Sequence, residues 1–132
     1  MKGDASCPKQ GGQGVNKLFN FDESDSWHTE WSTKAVPFDL VIDLKSVNQL
    51  DKFQYMPRQD GGNGTLKKGT VYYSMDKSEW TEAGTFEWTG GDVKTFVFEK
   101  RPTARYIKLS VTEGVGNYGS GRELYVFKVP GT

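Results

Sequence analysis

Apolar residues along this chain fall in short alternating runs and never hold the three- and four-residue spacing of a helix for three turns. The segment FDLVIDL (38–44) places Phe38, Leu40, Ile42 and Leu44 at every second position, which predicts a core strand. Segment 50–56 mixes apolar and polar residues in the same way. Segments 70–75, 85–88, 95–99, 105–111 and 123–129 are further strand candidates, rich in β-branched and aromatic residues and separated by Gly/Asn/Asp/Pro clusters. Many short strands with long loops at 20–33, 57–69 and 112–122 predict an all-β, antiparallel β-sandwich or jelly roll. Residues 1–14 carry no apolar periodicity and read as a loose lead-in, which leaves 15–132 as a single domain.

Composition narrows the function. A 132-residue chain suits one domain and buries about two-thirds of its unfolded surface, so it needs no covalent staple. The single cysteine, Cys7, cannot form an internal disulfide and reads as incidental. Lys plus Arg and Asp plus Glu both number 17, and a net charge of zero argues against an electrostatic grip on nucleic acid or an anionic membrane. No apolar run approaches the ~20 residues of a membrane helix, and no signal-peptide pattern opens the chain. The opening Met1-Lys2-Gly3-Asp4 reads as the start of an excised domain, with any export signal outside it. Aromatic residues make up 14% of the chain, with four Trp; some belong to the core and a binding surface could use the others, so their positions matter more than their number.

In a sandwich, the loops at one end of the sheets converge and form a natural binding platform. The candidate chemistry lies in these loops. Trp27-His28-Thr29-Glu30-Trp31 precedes the first core strand, where one indole can anchor inward while the other faces solvent; both Trp as core residues is the plain alternative. In 55–64, Pro57 ends a strand, Arg58 projects from its end, and glycines turn the backbone so that Asn63 returns beside Arg58. Taken singly, Arg58 is a surface charge and Asn63 a turn residue. In 113–121, Tyr118 sits among glycines, either as an exposed contact ring or as a lid over its own loop.

With NFDESDSWHTEW (20–31), FDLVIDL, FQYMPRQDGGNGTLKKGTVYYSMDKSEW (53–80), ARYIKLSV (104–111) and ELYVF (123–127), the chain resembles the discoidin or coagulation-factor type C domains, and among them the family 32 carbohydrate-binding modules. The resemblance covers nearly the whole chain, about 16–129. It implies a discoidin-like jelly roll with a shallow sugar site at one end. Galactose-binding members use a His with a Trp three residues later, matched by His28 and Trp31. They also use an Arg after a Pro and an Asn five residues on, matched by Arg58 and Asn63. An aromatic from the last long loop closes the far side in many members, and Tyr118 is the candidate. The intact set implies terminal galactose or N-acetylgalactosamine as ligand, bound by a monomeric, ancillary, non-catalytic module of a larger secreted, cell-surface or periplasmic enzyme.

The acidic loop Asn20-Phe21-Asp22-Glu23-Ser24-Asp25 offers hard oxygen ligands at close spacing, which suit Ca²⁺; an acidic turn with its own Asx bonds is the alternative. The resemblance implies one structural Ca²⁺ here, completed by a Glu entering the last strand, so the expected ligands are Asn20, Asp22, Asp25 and Glu123. Asn20 stands where an Asp is usual and Asp25 where a Thr is usual. The first change removes a negative charge and the second restores one.

Three other function classes stay in view. Some discoidin relatives bind phospholipid through apolar spikes and basic rims, which these polar Gly loops do not supply. The aromatics could instead serve a protein-adhesion surface. Glycoside hydrolysis needs paired carboxylates about 5–10 Å apart in a cleft. Glu30 and Asp60 are the imaginable groups, and no nucleophile or metal triad accompanies His28.

Overall fold

In the computed structural model, residues 2–6, 14–19, 26–29, 35–57, 62 and 64–130 are described. The described residues form nine strands and two short 3-10 turns, with no α-helix among them: β1 Lys2–Ala5, β2 Trp27–His28, β3 Phe38–Met56, β4 Leu66–Ser74, β5 Thr81–Glu87, β6 Lys94–Val97, β7 Thr103–Gly114, β8 Ser120–Gly121 and β9 Glu123–Lys128. The 3-10 turns are Val15–Phe19 and Val115–Asn117.

The long strand β3 joins the two layers. Its first half pairs with β1 and β7, and the larger sheet continues through β4 to β5, all antiparallel. Its second half pairs with β6 on one side and β9 on the other, forming a three-stranded layer. The sequence pattern reads 38–44 and 50–56 as two strands; the chain passes through both without a turn. Its β7 pairing is interrupted only between Asp43 and Asn48, where Lys45 takes a left-handed φ of 69° and residues 45–47 bulge to solvent. This bulge lets one strand change layers.

Alternation then fills the space between the sheets. Leu40 and Ile42 of β3, Val71 of β4, and Ile107, Leu109 and Val111 of β7 cover one wall. Phe53 and Tyr55 of β3, Phe96 of β6 and Leu124 of β9 cover the other. Each large apolar side chain fully buried here contributes about 1.5–3 kcal/mol. Trp88 lies against Phe86, with ring centroids 4.1 Å apart, and against Tyr55 at 5.7 Å, so aromatic stacking closes the core near one end.

One expectation needs correction. The lead-in 1–14 is not loose throughout, because Lys2–Ala5 forms an edge strand on β3. Gly3 N–H donates to Asn16 Oδ1 at 2.8 Å, and Asp39 N–H donates to Ser6 Oγ at 2.9 Å. Main-chain bonds, not an apolar face, hold this strand, and an apolar pattern cannot reveal it. The long loops also shorten: β4 starts at Leu66 and β7 runs to Gly114, while β2 and β8 form a small pair across two of them.

Candidate functional site

The three loops meet at the end of the sandwich where β3 finishes and β4 starts. Backbone hydrogen bonds stitch them together. Thr29 N–H donates to Gly119 O at 2.9 Å, and Gly119 N–H returns to Thr29 Oγ1 at 3.1 Å. Gly64 N–H donates to Val115 O, and Ser120 N–H donates to Gly64 O, both at 2.8 Å. Ala35 N–H reaches Asn117 O at 2.9 Å. At the foot of the platform Arg122 binds the end of β3 twice, N–H to Met56 O and Nε–H to Pro57 O, each at 2.8 Å.

Two glycines make this stitching possible. Gly64 has φ +90°, and a Cβ there would lie 2.5 Å from Ser120 Oγ and 2.8 Å from the carbonyl carbon of Gly119. A Cβ on Gly119 would meet Phe38 at 2.5 Å and Trp27 at 2.9 Å. The segment 115–121 therefore lies directly on the core, and Gly here marks close approach as much as flexibility.

Within this frame Trp27 is the inward anchor, 1% exposed and edge-on to Phe38 at 5.7 Å. Its neighbour His28 is also buried, at 5% exposure. His28 Nδ1–H donates to Thr29 O at 2.6 Å, which places a proton on Nδ1. Tyr118 is half-buried with its ring centroid 5.7 Å from that of His28. It packs on the neighbouring loop and does not stand free in solvent.

Trp31, Arg58 and Asn63 lie outside the described residues. The nearest described residues along the chain are tied to the site end. Thr29 and Ala35 bracket Trp31, and both bond to 117–119; Pro57 precedes Arg58 and accepts from Arg122; Gly64 follows Asn63 and bonds to Val115 and Ser120.

Beneath the platform, the Tyr55 hydroxyl donates to Ser120 O and accepts from Leu66 N–H at 3.3 Å. Complete burial pushes its phenol far above the ordinary value, so it acts as a neutral strut.

Of the expected calcium ligands, Asn20, Asp22 and Asp25 lie outside the described residues. Glu123 is fully buried at the start of β9. That strand packs against the turn Val15–Phe19, from which the chain runs directly into the acidic loop. A carboxylate withdrawn from water requires a cation or several donors, so its position and chemistry fit a hard divalent ion. Among the described residues no three His, Cys, Asp or Glu side chains gather into a metal site, and no helix is long and apolar enough to cross a membrane.

Sequence reasoning missed Lys94. Its side chain is 8% exposed, and its ammonium binds Asp92 Oδ1 at 2.6 Å and Thr89 O, tying down the loop between β5 and β6 at this same end. The one available signal was a Lys inside the apolar alternation of β6, where a charge is out of place.

The family model of the F5/8 type C domain matches residues 3–124. Galactose oxidase from Gibberella zeae is 32% identical over 127 residues, covering 90% of this chain, while the chain spans 18% of that enzyme. Among solved structures, the Clostridium perfringens module CpGH89CBM32-5 in complex with GalNAc-beta-1,3-galactose superposes with TM-score 0.87 at 27% identity, covering 96% of this chain and 94% of its own. The family 32 carbohydrate-binding module of C. perfringens NanJ in complex with galactose gives TM-score 0.86 at 25% identity, covering 95% and 91%. The expected discoidin-like β-sandwich is the fold observed, and it is the fold of ancillary binding modules and not of a catalytic domain.

Proposed function

Because the chain belongs to the F5/8 type C domain family, we propose that it is a carbohydrate-binding module recognising terminal galactose or N-acetylgalactosamine. One observation carries the reading. Thr29 and Ala35 on one side, and Gly64 and Thr65 on the other, all hydrogen-bond to the 115–121 segment at one end, with the His28 and Tyr118 rings in contact there. The sugar-bound relatives in this fold support the ligand class.

Each residue then has a distinct task. Trp31 covers the apolar C–H face of the pyranose, and Tyr118 closes the opposite wall. With its Nδ1 proton donated to Thr29 O, a neutral His28 presents Nε2 as an acceptor for a sugar hydroxyl. Arg58 only donates, whereas Asn63 donates and accepts. Together they satisfy the axial O4 and its neighbours. An equatorial epimer leaves desolvated groups unpaired at about 1–3 kcal/mol each, and this penalty sets specificity. Binding to a monosaccharide is weak, about −4 to −6 kcal/mol, so useful attachment requires several sites or a tethered enzyme. A parent enzyme acting on glycans or glycoproteins outside the cell, with this monomeric module directing it to its substrate, fits that affinity.

Ca²⁺ belongs to the same reading, held by Asn20, Asp22, Asp25 and Glu123. Bound there, Ca²⁺ would tie the loop preceding His28 to the start of β9. Calorimetric titration with galactose, N-acetylgalactosamine and glucose tests the function. Galactose-type sugars bind and glucose does not; equal binding of glucose, or capture of phospholipid vesicles without sugar, contradicts it. Arg58→Ala abolishes binding with little change in melting temperature, whereas a large stability loss makes Arg58 structural.

A further inference from the structure

At the end of the sandwich away from the loop platform, the two sheets do not close on each other. There β4 ends at Ser74, β5 begins at Thr81, β6 ends at Val97 and β7 begins at Thr103. The edge strands β5 and β6 are not paired with each other, so the layers part along this side. A cavity of about 150 Å³ opens between them. Tyr73, Ala83, Phe98 and Pro102 give it apolar walls, and the exposed residues Thr81, Glu82, Glu99 and Lys100 line it toward solvent.

Both walls are held in place. Tyr73 pairs with Thr81 across β4 and β5. The 98–102 turn is pinned to β3, where Phe98 N–H donates to Asp51 O at 2.9 Å and Leu50 N–H donates to Pro102 O at 2.8 Å. Arg101 N–H closes the turn on Phe98 O at 2.9 Å. The cavity is therefore formed in advance, and filling it carries little ordering cost on this side.

Its mouth carries two carboxylates against one ammonium. Among the described residues, neither Glu82 nor Glu99 forms an ion pair or accepts a side-chain hydrogen bond, and Lys100 pairs with neither. The volume lies below the about 300–1,000 Å³ of small-molecule sites and suits a single side chain. Apolar walls with unpaired carboxylates at the mouth match an aliphatic stem that ends in a cation.

We infer that this cavity is a docking pocket for a lysine or arginine side chain of a polypeptide partner. The stem lies against Tyr73 and Pro102, and the charged head reaches Glu82 and Glu99. The pocket stands at the opposite end from the sugar platform, so a glycan and a polypeptide can be held at once.

The test titrates ¹⁵N-labelled protein with acetyl-Gly-Lys-Gly-amide and with its norleucine counterpart, which keeps the stem and lacks the charge. The lysine peptide shifts the amides of Tyr73, Thr81, Ala83 and Glu99 with a Kd of about 1–10 mM, while those of Thr29 and Gly119 stay in place. The norleucine peptide binds about fivefold more weakly. Glu82→Gln combined with Glu99→Gln, both at exposed positions, removes that difference and moves the melting temperature by less than about 3 °C. Lys100→Gln tightens the lysine peptide about twofold, a gain that misfolding cannot imitate. Equal binding of the two peptides, no shift at about 20 mM lysine peptide, a preference that survives in the double variant, or no gain in Lys100→Gln overturns the pocket.

Discussion

Replacing Gly64 by Ala tests whether the three loops are locked into one platform. Gly64 adopts φ +90°, a conformation that costs an L-residue about 1–2 kcal/mol. The added Cβ would also lie 2.5 Å from Ser120 Oγ, 2.6 Å from Ser120 Cβ and 2.8 Å from the Gly119 carbonyl carbon. Only the first of these neighbours can swing away, so overpacking adds about 1–3 kcal/mol. The sum, about 2–5 kcal/mol, is a large share of the 5–15 kcal/mol typical of a domain, yet leaves the variant folded in the cold. At about 4 °C per kcal/mol, the melting temperature falls by about 8–20 °C. Urea unfolding at 10 °C gives the free energy directly. In the same sample galactose affinity drops about tenfold, or 1.4 kcal/mol, because one or two site side chains must be re-ordered on binding. A stability loss below about 1 kcal/mol would falsify the close approach of Gly64 to 119–120. A full stability loss with unchanged affinity would separate the stitching from the site.

Four further outcomes follow from the same geometry. Thr29→Val keeps the shape of a fully buried side chain but leaves Gly119 N–H without its Oγ1 acceptor, so unfolding free energy falls by about 1–3 kcal/mol in urea titrations. Tyr118→Ala removes the ring beside His28 and weakens galactose binding about five- to twentyfold, near 1–2 kcal/mol, with a melting change of only a few degrees. Acid destabilises the fold: the Asp43 carboxyl is held below its ordinary 3.8 by Arg105, and Asp76 by the backbone N–H groups of Glu79 and Ser78. Depressed folded values mean this stability is present above about pH 4 and lost as pH falls through the lower folded values, so Asp43→Asn flattens the acid limb of melting temperature against pH. Excess chelator lowers both melting temperature and galactose affinity, and Glu123→Gln abolishes the chelator response; an unchanged melt counts against a bound ion.

The strands that the chain announces are those with one buried face. Alternation in 38–44 and 105–111 reports burial at Leu40, Ile42, Ile107 and Leu109, and burial is what the sheets require. Main-chain bonding leaves no such trace, which is why β1 and the small β2–β8 pair were not legible. Nor could the pattern show that 38–44 and 50–56 are one strand, because the apolar alternation breaks at Lys45, Ser46 and Val47, which the bulge exposes to solvent. At the site, Trp27 and Trp31 are equivalent in sequence, and only the contact of Trp27 with Phe38 makes it the anchor. Tyr118 read as an exposed ring or a lid because its flanking glycines suggested freedom. Gly119 is instead required by contact with Phe38 and Trp27. Lys94 escaped notice because its partners, Thr89 O and Asp92, become neighbours only once the loop turns at Gly90.

The most direct measurement of the central claim is a titration of ¹⁵N-labelled protein with galactose, and with glucose as control, followed amide by amide. Galactose shifts a contiguous set at one end of the sandwich, including His28, Thr29, Gly64, Tyr118 and Gly119, and glucose leaves them in place. No galactose-dependent shift at tens of millimolar sugar, or shifts centred instead where the Lys108 ammonium lies over the Tyr72 and Trp80 rings, would contradict the account.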